Sequence, residues 1–462
     1  MDDSFTRVWE RQVNEFLQQP VPDEITTHGQ QTVVDICAAI VAGSAIPSIA
    51  SVTDAIKLGR GEASVLGSKR RVQPEQAALL NTAAAIAQEI EEGHNTGGHV
   101  GASIVASGLP VAETEAVDGE TFVAHCIRVY EICVRLERAL FAMKDKLNEA
   151  VPWLLRNPHS TWTTVGPALI TALCRGATPT ELKETFRIAA NLAVVSMHDP
   201  YAEGAPARNF TAGFSAQAGV SAAHTGLAGL QGSQAAIEQV YDPFDELLEG
   251  GFTSSFDTLG EHWEITEQYL KPYPSCRYTH PPLDALRDAM ATGERKTGKN
   301  AELVADIERI WVKTFENATE MSHTEPETLT GAKFSTPYVL ARYLLDDEIT
   351  LDSFTEEKIT DESVRTLAGT VSLETSGQFE KAFPESWGAS VKVELADGTE
   401  LTGECAYPRG DYRKPLSKSS YHKRNRRLLA EGLPANQVEP ALTALAELEI
   451  HPIRATVAHL IQ

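Results

Sequence analysis

Residues Leu270-Lys271-Pro272-Tyr273-Pro274-Ser275-Cys276-Arg277-Tyr278-Thr279-His280 bring together an ammonium, a guanidinium, a thiol, phenols and an imidazole. Pro272 and Pro274 each fix φ and remove a backbone donor, so a helix cannot run through them. The segment reads as an extended or turned strip beside a helix. Such a strip can aim Lys271 and Arg277 at a small anion, with Cys276 and His280 as proton carriers. A thiol beside cations is expected to have a lowered pKa and to become a better base. The plainer reading makes Cys276 buried filler and His280 a helix cap.

Three further segments carry chemistry. In Glu91-Glu92-Gly93-His94-Asn95-Thr96-Gly97-Gly98-His99, the glycines let the backbone fold tightly, so the carboxylates of Glu91 and Glu92, His94 and His99 can converge at a helix end. In Arg156-Asn157-Pro158-His159-Ser160-Thr161, Pro158 closes what precedes it, and Ser160 or Thr161 could cap the next helix. That puts His159 at an interhelical turn. Arg208 opens a Gly/Ala-rich stretch and can fork onto a carboxylate. Taken singly, these are a flexible loop, a capping histidine and a surface arginine. Together they outline histidines and cations with no metal cage.

That set suits removal of a proton from carbon next to a carboxylate. Such a carbon acid is weak, so a base is needed, and cations must hold the enolate-like charge that develops. A second acid decides the outcome. Protonating a hydroxyl gives dehydration, loss of carbon dioxide gives decarboxylation, and returning the proton to the other face gives epimerisation.

The elements that must position these groups change character along the chain. Up to about Gly260 the pattern predicts Ala-rich helices, among them Gln76 to Ile90, Glu120 to Met143, and one begun by Thr178-Pro179-Thr180-Glu181 that continues to Met197. Gly176 ends the helix before it. From Phe214 to Leu230, Ala and Gly are so frequent that the helices must approach closely. After about His262 strands appear: Ile307 to Phe315, Thr370 to Glu374, and a hairpin from Ser390 to Cys405 turning at Asp397-Gly398. Helices from Pro282 to Ala291 and Phe334 to Asp346 are interleaved. The chain is helical again from Leu416, where Lys423-Arg424-Asn425-Arg426-Arg427 reads as a solvated face. The pattern is mainly α: an all-α stretch up to about Gly260, an α+β stretch after about His262, and helices again from Leu416.

Composition narrows the partners. The 462 residues carry 64 acidic and 40 basic side chains, a formal charge of −24, which argues against nucleic acid or an anionic membrane. A local cluster of Lys and Arg can still take an anionic substrate. The six cysteines form no CxxC and no zinc or iron–sulfur spacing. Val33 to Ala50 is interrupted by Asp35, Gly43 and Pro47 and is no membrane span. A cytoplasmic protein is expected.

The chain resembles the MmgE/PrpD family, which includes 2-methylcitrate dehydratase, cis-aconitate decarboxylase and iminodisuccinate epimerase. The resemblance rests on ordered segments: Val33-Val34-Asp35 through Gly43; Ala77-Ala78-Leu79-Leu80-Asn81; His99-Val100-Gly101-Ala102; Pro158-His159-Ser160-Thr161; Arg208 to Gly219; Lys271 to His280; and Phe334-Ser335-Thr336-Pro337-Tyr338 with Ala396-Asp397-Gly398 to Gly410-Asp411. It implies a large all-α helical domain (1–262 plus 409–462) with a smaller inserted α+β lid domain (263–408), and a homodimer with its active site in the cleft between the two domains, no cofactor and no metal. It implies that His99, His159, Lys271 and Cys276 are catalytic or orient the substrate. Glu92, Arg208, Arg277, His280 and Ser335 are the expected contacts to a small polycarboxylate. The family's Asp-rich stretch is here Glu89, Glu91, Glu92 and Gly93, its lysine is Arg208, and Val100 replaces a proline. These departures keep charge signs and alter reach. They count against a faithful 2-methylcitrate dehydratase or cis-aconitate decarboxylase. They leave open a lyase, an epimerase or a catalytically silent binding protein.

Overall fold

The computed structural model describes residues 8–56, 59–150, 159, 161–192, 204–234, 236, 252–292 and 301–462. The fold is mainly helical with a small α+β part. In order, the elements that matter for the site are α1 (Asp23–Ser44), α2 (Pro47–Ala55), α3 (Pro74–Ala87), β1 (Gly93–His94), α4 (Val100–Thr114), α5 (Gly119–Ala150), α6 (Trp162–Cys174), α7 (Pro179–Asn191) and α8 (Arg208–Leu227). Then come β2 (Gln268–Tyr269), α9 (His280–Thr292), β3 (Ile307–Thr314), α10 (Leu329–Lys333), α11 (Thr336–Asp346), β4 (Val371–Thr375), β5 (Ala389–Leu395) and β6 (Glu400–Cys405). The chain closes with α12 (Lys418–Gly432), α13 (Ala435–Ala446) and α14 (Ile453–Val457).

Two hydrophobic cores organise these elements. The larger joins Val33, Ile36 and Ile40 of α1 to Ile104, Val129, Val165 and Val220, and also to Leu428, Leu429 and Val457 near the end of the chain. The smaller joins Leu283 and Leu286 of α9 to Ile310, Val312, Val339, Val391 and Val393. Close helix crossings in the larger core depend on small residues. A β-carbon at Gly219 of α8 would collide with the Thr164 carbonyl of α6. Among the described residues no single helix is long and apolar enough to cross a membrane; α1 and α2 together have the length but meet at 79°.

Local signals explain most boundaries. Thr178 and Glu181 form the reciprocal capping box that starts α7, and Gly176 turns left-handed after α6. The helix expected over Gln76 to Ile90 stops at Ala87, because Glu89 takes φ of 52°. Left-handed backbone breaks an α-helix, so Glu89 and Glu91 leave the helix axis. The helix expected to reach Met197 ends at Asn191, and 193–197 lie outside the described residues. The helix from Glu120 extends past Met143 to Ala150. Thr161 occupies the cap position of α6 without a side-chain cap bond, and Ser160 is not described.

The larger sheet has the order β4-β3-β5-β6. β3 runs parallel to β4 and antiparallel to β5, and β5 returns to β6 through Asp397-Gly398 with Val393 opposite Leu401. Alternate residues of β5 are buried, as a one-sided sheet requires. The pairing that matters most for chemistry is shorter. β1 and β2 pair antiparallel, Gly93 with Tyr269 and His94 with Gln268. This ladder lays the loop that leads to His99 beside the strip that carries Lys271.

Candidate active site

The site is a buried cluster of opposite charges where the end of α3, the 89–99 loop, α8 and the strip meet. Lys271 is fully buried. Its ammonium lies 3.1 Å from Glu89 Oε2 and 3.5 Å from Glu91 Oε1. Arg208, at the start of α8, pairs with the other Glu89 oxygen. His99 Nδ1 lies 3.2 Å from Glu91 Oε1 and 3.0 Å from the Glu92 carbonyl. Two carboxylates, two cations and an imidazole thus share one water-poor space.

Burial and mutual charge set their acidities apart. Burial alone would raise Glu89, but Arg208 and Lys271 outweigh it and hold its carboxyl well below the usual range. Glu91 is pushed up to about 7, by burial first, with the Glu89 charge adding to it and Lys271 opposing. Burial opposes the charge on Lys271, yet Glu89 and Glu91 keep it above its ordinary value. Burial, then Lys271, depress His99 well below the ordinary imidazole value. His99 is therefore a neutral base. If Nδ1 carries the proton toward the Glu92 carbonyl or Glu91, Nε2 is left to accept one.

The backbone around the cluster is clamped from outside. Arg424 of α12 donates from Nε to the Lys271 carbonyl at 2.7 Å and from Nη2 to the Ile90 carbonyl. Its Nη1 pairs with Asp35 at 2.6 Å, and Asp35 Oδ2 accepts from the Glu92 N–H at 2.7 Å. The basic run read as a solvated face thus has one member that grips both site-bearing segments. Lys333 acts from the other side. Its ammonium donates to the Gln88 carbonyl at 2.8 Å and to Gln88 Oε1 at 2.9 Å, beside Glu89. Burial pushes Lys333 down to about 7, against the pull of Glu89 and Glu91.

His159 reaches the same loop through Glu137. Its Nδ1 lies 3.2 Å from Glu137 Oε1, and Thr96 donates to Glu137 Oε2 at 3.3 Å. A β-carbon at Gly98 would collide with the Glu137 carboxylate, so any larger residue before His99 would push that carboxylate away. Each catalytic candidate histidine is thereby held by a buried glutamate.

Several expected residues take other parts. Cys276 is no activated thiolate: burial, then the Glu89 charge, push its thiol up to about 12 despite Lys271 and Arg208. Glu92 does not wait for a substrate. Its carboxyl accepts from the Gly101 N–H at the start of α4 and from Tyr130 Oη at 3.2 Å. Arg277 faces Asp411 at 3.4 Å and stacks 4.3 Å over the Tyr269 ring. His280 is bonded to Arg277 and to the Ser275 carbonyl. Ser335 caps α11 by accepting from the Tyr338 N–H at 3.0 Å. Sequence reasoning missed Glu137 and Lys333, which reach the site through contacts distant in the chain.

The ligand atoms of Glu89, Glu91 and His99 lie within 4.8 Å of one another, a spacing that could hold a cation. The Lys271 ammonium already lies against both carboxylates there, and Arg208 pairs with Glu89. His94, Glu264 and Glu267 form a second such group, in which Arg138 pairs with Glu264.

The family model of the MmgE/PrpD N-terminal domain matches residues 12–255, and that of the MmgE/PrpD C-terminal domain matches residues 273–449. The chain belongs to the MmgE/PrpD family. It is 23% identical over 461 residues to the "Cis-aconitate decarboxylase-like protein oryM" of Aspergillus oryzae, covering 95% of this chain and 93% of that protein. It is 22% identical over 414 residues to the "Cis-aconitate decarboxylase" of Aspergillus terreus, covering 84% of this chain and 82% of that protein.

Proposed function

We propose that this protein is a lyase that acts on a small di- or tricarboxylate by proton transfer at a carbon next to a carboxylate. The observation that carries the reading is the Glu89–Lys271–Glu91–His99 cluster: a buried ammonium beside a neutral imidazole and a carboxyl that titrates near neutrality. The names of its relatives point to the same substrate class.

In this reading Lys271 and Arg208 supply the positive field for substrate carboxylate and for the enolate-like charge. Preorganised cations in a dry site act without reorganising, which is where such stabilisation is strongest. His99 takes the proton through Nε2, and ionised Glu91 stabilises the imidazolium that results. His159, held by Glu137, is the second proton-transfer group. In dehydration it protonates the departing hydroxyl, which leaves as water. In decarboxylation the carbon–carboxylate bond breaks, carbon dioxide leaves, and the carbanion takes a proton from the same group.

A second reading is an epimerase, favoured by one observation: His99 and His159 each stand beside a buried glutamate of their own, as a two-base mechanism would use. Incubation with a panel of small polycarboxylates in deuterated water separates the readings. A lyase releases carbon dioxide or an alkene absorbing in the ultraviolet, and His99→Ala and His159→Ala each lower that rate about 10²–10⁴-fold. An epimerase washes deuterium into recovered substrate without a new product. Ligand binding with neither result sinks both and leaves a binding protein.

A further inference from the structure

Lys423 and Arg427, members of the basic run that the proposed chemistry does not use, face a cleft of about 240 Å³. The cleft adjoins the strip at Pro272 and Tyr273 and the loop at Ile90, but none of Glu89, Glu91, His99 or Lys271 lines it. Arg287 of α9 and Arg409 complete its positive wall, and Glu348 is the one carboxylate in the lining among the described residues.

This concentration of charge is unusual for a chain with 64 acidic and 40 basic residues. Arg424 also lines the cleft, but its charge is taken up by Asp35. The other four cations are poorly neutralised. Arg427 stands a loose 3.9 Å from Glu348. Arg287 and Lys423 have no ion-pair partner among the described residues. Lys423 and Arg427 are four apart on α12, where like charges repel. The guanidinium groups are also held in place. Arg287 stacks 5.6 Å over the Tyr343 ring, and Arg409 stacks over Tyr273 while donating to its hydroxyl at 3.4 Å. Fixed forks bind carboxylate and phosphate oxygens with less loss of freedom than mobile ones.

We propose that this cleft binds a small multivalent oxyanion, bearing carboxylate or phosphate groups, at a site separate from the Lys271 cluster. The cations come from α9, α12 and the segment after β6, so the anion bridges the smaller core to the chain's last helices.

Calorimetric titration of the full chain with inorganic pyrophosphate and with citrate, at low and high ionic strength, tests this. The expected result is salt-sensitive binding of at least one probe, weakened about tenfold or more in Arg287→Gln/Lys423→Gln. The melting temperature of that variant stays near that of the parent, and Arg287→Lys/Lys423→Arg retains binding. Binding of pyrophosphate alone assigns a phosphate ligand; citrate binding that the double Gln variant loses assigns a polycarboxylate, and citrate binding that it keeps belongs to the Lys271 cluster. The proposal is overturned if neither probe binds, or if the double Gln variant binds as well as the parent. Neither result touches the proposed chemistry at Lys271.

Discussion

One oxygen of Glu91 serves two partners: Oε1 lies 3.2 Å from His99 Nδ1 and 3.5 Å from the Lys271 ammonium. The proton on Glu91 therefore decides whether His99 has an anionic neighbour when it becomes charged. Glu91 titrates near 7 and Glu89 far lower, so near neutrality the pair exchanges a single proton.

If ionised Glu91 supports His99, kcat rises with pH through an apparent pKa near 7 and levels off above it. Glu91→Gln removes that limb and lowers kcat by about 10²-fold or more. A pH–rate profile of both proteins checks this, and an unchanged inflection in the variant counts against the assignment.

Lys333 gives stability a pH dependence of opposite origin. Its ammonium titrates near 7 in the folded protein, below its ordinary 10.5. Between those values the unfolded chain still holds the proton that the folded one has released, so this group makes stability rise with pH across the window. Lys333→Met flattens that rise, a difference on the order of a few kcal/mol. Urea unfolding in neutral and alkaline buffer measures it.

Arg424→Gln strands Asp35 without its cation and frees two carbonyls beside the cluster. The expected loss is about 3–5 kcal/mol of stability, together with a fall in kcat. Asp35→Asn in the same chain restores part of the stability, because no buried charge is then left alone. Additive losses in that double-mutant cycle would show that the two residues are not coupled.

Ser335→Ala separates a cap from a substrate contact. Loss of the cap costs about 1 kcal/mol and leaves KM and kcat near the parent values. A KM that climbs tenfold with no change in melting would restore the substrate role.

The parts of the site that the sequence revealed are those where composition is locally odd. Two prolines around titratable groups marked the strip, and glycines between Glu92 and His99 marked the loop. Ala-rich periodicity and the Asp397-Gly398 turn gave the helices and the hairpin. What stayed hidden depended on distant contacts. β1 and β2 are two residues each, too short to show a period. The partner of Arg424 lies 389 positions away, and its charged neighbours made it look like a solvated face. The rise of the Cys276 pKa comes from packing on all sides, which adjacent cations cannot foretell.

The clamp from α12 has a consequence for how the molecule is made. Both segments it grips, and Asp35 before them, leave the ribosome long before residue 424 does. A nascent chain can fold its early helices yet must keep these carbonyls and this carboxylate waiting, so the buried charge cluster is among the last features to mature after synthesis.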